Sequence, residues 1–149
     1  MDALRQIPRI SRALGWAAAV VLIAGCAVMP DNVGGGRNNV TLSGDQEVPP
    51  ATTTANGSGT IIVEADKSVR GSVITTGVDG TAAHIHLGAP GNNGPVIIPL
   101  TKSGDSTWLV PAGAKLTDEQ YQSFKAGGLY VNVHSTKYKG GEIRGQLKP

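Results

Sequence analysis

Two short stretches of the chain alternate between apolar and polar residues, which is typical of strands with one buried face. In residues 81–87, His84 and His86 project to one side and Ile85 projects to the other. In residues 129–134, the apolar face holds Leu129, Val131 and Val133, and the opposite face holds Tyr130, Asn132 and His134. Because both predicted strands carry histidines on their polar faces, the pattern predicts that imidazoles meet across two strands.

Further β-branched or alternating runs predict other strands at regular spacing. Residues 60–64 and 69–75 flank a short connection that contains aspartate, and together they predict a hairpin. The remaining predicted strands are residues 40–42, 96–100, 107–110 and 142–147, and residues 88–95 are a predicted glycine- and proline-rich loop. This spacing predicts an all-β fold, an antiparallel β-sandwich of Greek-key-like topology with one short helix.

The single predicted helix follows Thr117. Gln120 lies three residues later and completes the pattern of a capping box, and Leu116 can pack on Tyr121 as a hydrophobic staple. Gly127 is a natural residue to end the helix, because glycine readily adopts the left-handed conformation.

The first 25 residues have the layout of an export signal. Three arginines precede a mostly apolar run, residues 13–24, that is too short for a comfortable membrane span. The run closes on Ile23-Ala24-Gly25-Cys26, which resembles the lipobox of bacterial lipoprotein signal peptides. The resemblance implies that the Cys26 thiol is lipidated and that Cys26 becomes the new N-terminus. The alternative is an ordinary secretory signal in which the cysteine is incidental.

The lipoprotein interpretation predicts three segments and a location. Residues 1–25 are the signal peptide, residues 26–39 a flexible tether, and residues 40–149 a single domain. The protein would be extracytoplasmic and held in a membrane through the lipids on Cys26. Ala27 is not the aspartate associated with inner-membrane retention, so the outer membrane is expected if the host is Gram-negative.

Charge and cysteine content narrow the function classes. Without residues 1–25 the chain has ten basic and ten acidic residues, so it has no net charge when its histidines are neutral. Nucleic-acid binding, which needs a basic surface, is therefore not expected. Because Cys26 is the only cysteine, the chain cannot form an internal disulfide.

Four motifs in order along the chain resemble the CHRD domain, the module named after chordin. They are Leu42-Ser43-Gly44-Asp45-Gln46-Glu47-Val48-Pro49-Pro50, Ala83-His84-Ile85-His86, Gly128-Leu129-Tyr130-Val131-Asn132-Val133-His134 and Gly141-Glu142-Ile143-Arg144-Gly145-Gln146-Leu147. The resemblance implies an extracytoplasmic β-sandwich module. It does not imply growth-factor binding, because the chain lacks the cysteine-rich repeats that accompany these modules in chordin.

The three histidines are a candidate metal site. His84, His86 and His134 could supply three imidazole nitrogens, which suit copper or zinc and leave one coordination position open. With only three histidines, at most a mononuclear site is possible. The alternative is that the histidines are structural and hydrogen-bond Asn132, Glu142, Arg144 or backbone carbonyls.

The sequence is compatible with more than one role for each of four other polar residues. Glu142 and Arg144 could act as an acid and an electrostatic clamp, or could simply pair with neighbouring charges. Glu47 could cap a ligand site or could fix its own loop through backbone N–H groups, and we favour the second. Tyr130 could be a ligand, a redox partner or part of an amphipathic face.

The sequence supports two hypotheses of different classes. No serine, cysteine or threonine stands in a recognisable nucleophile motif, which favours a non-enzymatic protein. The first hypothesis is therefore a lipid-anchored domain that binds or scaffolds an unknown partner in the cell envelope. The second is a mononuclear copper or zinc protein, with a redox role among its possible functions.

Overall fold

The computed structural model of the protein describes residues 36–149, which form nine antiparallel strands and one α-helix. The strands are β1 (Gly36–Ser43), β2 (Asn56–Val63), β3 (Val69–Thr76), β4 (Gly80–Leu87), β5 (Val96–Pro99), β6 (Thr101–Lys102), β7 (Thr107–Leu109), β8 (Leu129–Ser135) and β9 (Ile143–Leu147). The helix α1 is Asp118–Lys125, and a single 3-10 turn, Gly44–Gln46, follows β1. The predicted all-β fold with one short helix is confirmed.

All nine strands belong to one nearly closed sheet in the order β5-β4-β8-β9-β1-β2-β3-β7-β6. The two strands at its ends, β5 and β6, are separated in the chain only by Leu100. Leu100 donates its backbone N–H to the carbonyl of Ala83, and Lys102 Nζ donates to the carbonyl of Gly80, so both contact β4. The segment from β5 to β6 thus connects the two ends of the sheet and gives it a barrel-like form.

The core lies inside this curved sheet and is mainly aliphatic. Ile85 is 1 % exposed and Val133 is fully buried, so the predicted inward face of β4 and β8 is confirmed. The other large buried apolar side chains come from most of the strands and from the helix: Leu42, Ile61, Val63, Val73, Trp108, Phe124, Leu129, Val131, Ile143 and Leu147.

The helix begins and ends as its sequence predicts. Thr117 Oγ1 accepts a hydrogen bond from the Gln120 backbone N–H at 3.2 Å, and Gln120 Oε1 accepts one from the Thr117 N–H at 2.9 Å. This is the expected capping box. Gly127 follows with a φ of 73°, the left-handed conformation that ends many helices. Across residues 36–149, we find no helix with the length and apolar character to cross a membrane.

The first strand begins earlier than the sequence suggests. The sequence places residues 36–39 in the flexible tether. In the structure they belong to β1 and pair with residues 60–63 of β2. Asn38 is 2 % exposed and donates its side-chain amide to the Gly36 carbonyl, so this polar stretch is ordered by backbone pairing rather than by apolar burial. The predictions for the signal peptide and for Cys26 concern residues outside the described part of the chain.

Candidate functional site

Strands β4, β8 and β9 are adjacent, and their register brings the predicted site residues together. The strand β8 pairs with β4 on one side and with β9 on the other. Directly opposed residues of antiparallel strands project from the same face of the sheet. Two rows of side chains therefore cross this face: His84, Asn132 and Arg144 in one, and His86, Tyr130 and Gln146 in the other.

The three histidines converge as predicted. Their candidate ligand nitrogens all lie within 4.8 Å of one another. The shortest distance joins His84 Nδ1 to His134 Nε2, at 3.0 Å. The ring centroids of His84 and His86 are 5.5 Å apart, and those of His86 and His134 are 6.2 Å apart. His86 is 7 % exposed, whereas His84 and His134 are half-buried, so the cluster opens to solvent on the side of these two.

Backbone carbonyls hold two of the imidazoles in one tautomer. His86 Nδ1 lies 2.9 Å from the Gly94 carbonyl oxygen, and His134 Nδ1 lies 2.9 Å from that of Lys139. Because a carbonyl oxygen only accepts, each Nδ1 must carry the proton, and each neutral ring keeps a lone pair on Nε2. The Nε2 of His86 is buried and makes no hydrogen bond of normal distance and angle with the described residues, although the Asn132 side chain interacts with the ring closely enough to raise its pKa.

Burial keeps two of the rings uncharged. It lowers the pKa of His84 below its ordinary value, and the neighbouring His134 and His86 lower it further. Burial also lowers the pKa of His86, against the opposing effect of its hydrogen bond to the Gly94 carbonyl. His84 and His86 are therefore neutral imidazoles at neutral pH, the form in which histidine binds a metal.

Tyr130 contacts both a histidine and the buried arginine. Its ring stacks on His86 with a centroid distance of 4.7 Å and an interplanar angle of 6°. The Cζ of Arg144 lies 3.5 Å from the centroid of the Tyr130 ring. The Tyr130 hydroxyl accepts a hydrogen bond from the Gly94 backbone N–H at 3.2 Å. Tyr130 thus links the histidine cluster to Arg144 and to the 88–95 loop, which contains Gly94.

Arg144 attaches the 88–95 loop to the sheet. It is 1 % exposed, and its guanidinium donates to the carbonyls of Asn92 at 3.0 Å and Ala89 at 3.3 Å, and to Asn93 Oδ1 at 3.3 Å. None of the ion pairs found within residues 36–149 includes it. The Arg144 guanidinium is therefore held by oxygens of the 88–95 loop, which covers this face of β9, and the charge that it acts on electrostatically is that of Glu47.

The residues on either side of Arg144 have similar structural roles. Glu142 is 7 % exposed, and its Oε1 accepts a 2.6 Å hydrogen bond from the Thr53 hydroxyl. Gln146 donates its side-chain amide to the carbonyls of Gly88 at 2.9 Å and Gly127 at 2.8 Å. Glu142, directly before β9, and Gln146 within it consequently connect this strand to three separate loops.

Glu47 is buried beside the same rows. It is 4 % exposed, and its Oε1 has no hydrogen-bond partner among the described residues. Burial raises the pKa of Glu47 to about 7, although the Arg144 charge, the Asn132 side chain and the Val48 backbone oppose the rise. Gly141 lies against this carboxyl, and a Cβ at position 141 would overlap Glu47 Oε1. At neutral pH a large share of Glu47 is therefore the uncharged acid.

A cleft of about 440 Å³ opens beside Glu47. Its wall is formed by the segment that follows the 3-10 turn, by Asn93 of the loop, and by the turn between β8 and β9. Its lining residues are Glu47, Val48, Pro49, Pro50, Ala51, Asn93, Tyr138, Gly140 and Gly141. One short turn joins the cleft to the histidine cluster. The carbonyl of Lys139 contacts His134 Nδ1, and the next residue, Gly140, lines the cleft.

The structure brings all the predicted site residues of the domain to one region, and it adds partners that sequence reasoning missed. The carbonyls of Gly94 and Lys139 and the side chains of Thr53 and Asn93 carry no sequence signal of a site. Gly94 had one indirect signal. It lies in the glycine-rich loop, and a Cβ there would overlap the Leu87 carbonyl, so glycine is what lets the loop approach β4.

The chain was also compared with known proteins. Its sequence matches the CHRD domain over residues 39–147, which is well over half of the 149 residues. No curated protein and no solved structure matches it. The matched range contains the four motifs, and three of them lie in or overlap strands β4, β8 and β9, which carry the polar face described above. The protein therefore belongs to the CHRD domain family.

Proposed function

We propose that the protein is a lipid-anchored, extracytoplasmic member of the CHRD domain family that binds or scaffolds a partner in the cell envelope and catalyses no reaction. The observation that carries the non-enzymatic part is the use of the polar residues on β9 and directly before it. Arg144, Glu142 and Gln146 are buried or half-buried and donate to or accept from loop atoms. Side chains occupied in this way hold loops in place rather than meet a substrate.

The sequence before the domain supports the anchor. Cys26 is the only cysteine and closes a stretch that resembles a lipobox, behind an apolar run too short for a comfortable membrane span. An acylated Cys26 would hold the domain at a membrane surface through several chains, which is far stronger than a single-chain attachment. The domain would then meet partners that are themselves part of the envelope.

Metabolic labelling tests the anchor. Cells that express the full chain are grown with a radioactive fatty acid, and the protein is isolated as wild type and as Cys26→Ser. We expect label in the wild type, and an unlabelled precursor of higher mass in the variant. An Ala27→Asp variant is the matched control, since it leaves the cysteine intact and should be labelled like the wild type. Equal label in the wild type and in Cys26→Ser would refute the lipoprotein assignment.

Site-specific crosslinking tests the binding role. A photoreactive residue at Pro50, on the exposed rim of the cleft, should give a discrete crosslinked product in intact cells. The same residue at Asp105, an exposed position that does not line the cleft, is the control. The same products from both positions, or none from Pro50, would contradict a partner at the cleft.

A further inference from the structure

We propose that His84, His86 and His134 form a mononuclear site for a copper or zinc ion, with one coordination position open. The site lies within the domain and does not depend on the anchor at Cys26 or on a partner at the cleft. Imidazole nitrogens suit both ions, and three protein ligands with a free fourth position are typical of sites that exchange a ligand.

Two of the three nitrogens are already near chelating distance. His84 Nδ1 and His134 Nε2 are 3.0 Å apart. Two nitrogens that each lie 2.0–2.1 Å from one tetrahedral metal are about 3.3 Å apart. All three candidate ligand atoms lie within 4.8 Å of one another. The widest nitrogen–nitrogen distance must therefore shorten by about 1.5 Å for the three atoms to bind one ion. The contraction would come mainly from rotation of the half-buried His84 and His134 side chains.

The backbone carbonyls on His86 and His134 are the strongest argument for a metal. Ligating histidines usually donate their other ring N–H to a carbonyl or carboxylate, which fixes the tautomer and orients the lone pair. The Gly94 and Lys139 carbonyls do this here, each at 2.9 Å from Nδ1. Both rings thus keep a lone pair on Nε2.

His84 completes the set by changing its tautomer. In the described arrangement its Nδ1 carries a proton that it donates to the lone pair of His134 Nε2. A metal ion replaces that proton between the two nitrogens, and the neutral His84 ring then carries its proton on Nε2. The ring remains uncharged throughout, so binding to His84 needs no net loss of a proton.

A purely structural role leaves one buried imidazole nitrogen unexplained. Hydrogen bonds account for His84 Nδ1 and for both nitrogens of His134, but His86 Nε2 is buried without a hydrogen bond of normal geometry, and Asn132 Oδ1 on the neighbouring strand is unpaired as well. A buried acceptor without a partner loses its hydration and gains nothing in return. An ion held by the three rings would satisfy this lone pair. The half-buried rings of His84 and His134 would leave the ion a route from solvent.

Thermal unfolding with metal alone tests the site. The full-length protein is purified in detergent without an affinity tag, stripped with a chelator, and melted with and without Zn(II) or Cu(II) at neutral pH. At an ion concentration of 100 times Kd, we expect the Tm to rise by about 5–10 °C. Titration should give one ion per chain, and the electron paramagnetic resonance spectrum of bound Cu(II) should show coupling to three nitrogens.

Two variants separate ligation from folding. His86→Asn and His134→Asn keep a side-chain N–H that can donate to the carbonyl that Nδ1 contacts, but neither offers a nitrogen lone pair in place of Nε2. Each should retain the fold and lose at least 100-fold in metal affinity. A wild type whose Tm is indifferent to both ions would overturn the proposal. So would a shift of equal size in the variants, or fewer than three coupled nitrogens in the Cu(II) spectrum.

Discussion

Replacing Glu47 by glutamine should change how the stability of the protein depends on pH. The carboxyl is 4 % exposed, and burial raises its pKa from 4.5 to about 7. In the unfolded chain the group ionises near 4.5, so between these values the folded state binds more protons than the unfolded one. Stability contributed by Glu47 is thus fully present below about pH 4.5 and is lost as the pH rises through about 7.

The size of the effect follows from the shift in pKa. Each pKa unit corresponds to about 1.4 kcal/mol. The rise of the Glu47 pKa from 4.5 to about 7 therefore lowers the free energy of unfolding by about 3 kcal/mol between a pH well below 4.5 and a pH well above 7. Between pH 5 and pH 8, the same shift destabilises the wild type by about 2.5 kcal/mol. Glutamine cannot ionise, so this part of the pH dependence should be absent in Glu47→Gln.

Chemical denaturation of both proteins at pH 5 and pH 8 measures this contribution. The quantity of interest is the free energy of unfolding of the wild type minus that of Glu47→Gln, because the titration of the histidines then largely cancels. This difference should be about 2.5 kcal/mol larger at pH 5 than at pH 8. Glu119→Gln is the control. Hydrogen bonds at the start of α1, first that of the Glu119 backbone, lower the pKa of Glu119, so its contribution to stability is lost only as the pH falls below about 4.5. The free energy of unfolding of the wild type minus that of Glu119→Gln should therefore be nearly the same at pH 5 and at pH 8.

A difference that does not change with pH, or that is larger at pH 8, would refute the reasoning. It would mean that Glu47 is ionised in the folded protein and that a charge compensates it fully. The described candidate for such a charge is Arg144, whose guanidinium lowers the pKa of Glu47 but is occupied by the 88–95 loop.

Three further predictions concern a core residue, a glycine next to Glu47, and the hydrogen bonds of Arg144. Ile85→Ala should lower the free energy of unfolding by about 2–4 kcal/mol through lost burial and a residual cavity, whereas Ile74→Ala, at a position 54 % exposed, should change it by less than about 0.5 kcal/mol in the same urea titration. Gly141→Ala should destabilise severely, because its φ is 135° and the new Cβ would overlap Glu47, while Gly140→Ala has open space and should melt like the wild type. Arg144→Lys should keep the charge but lose the planar donor set, so backbone amides of the 88–95 loop should exchange hydrogen faster, with strand β2 unchanged as the internal reference.

The inward faces of the strands and the limits of the helix could be predicted from the sequence, because both depend on local patterns. The alternation around Ile85 and Val133 gives the inward face directly, and the spacing of Thr117 and Gln120 gives the cap. The convergence of the histidines also follows, once β4 and β8 are neighbours.

The cover over the polar face could not be predicted, because it depends on where a loop goes rather than on the strand beneath it. Alternation places Arg144 on a polar face but does not show that residues 88–95 fold over it and leave it 1 % exposed. The start of β1 was missed for a related reason. Residues 36–39 have no apolar alternation, and they are ordered by eight residues of pairing between β1 and β2.

The segment from β5 to β6 has a consequence for contacts between copies of the domain. Open strand edges are templates on which neighbouring copies can add strands and aggregate. Here the two terminal strands of the sheet are four and two residues long, and Pro99 in the longer one has no N–H to offer. Neighbouring copies of residues 36–149 therefore offer one another only short strand edges, which disfavours association through added strands.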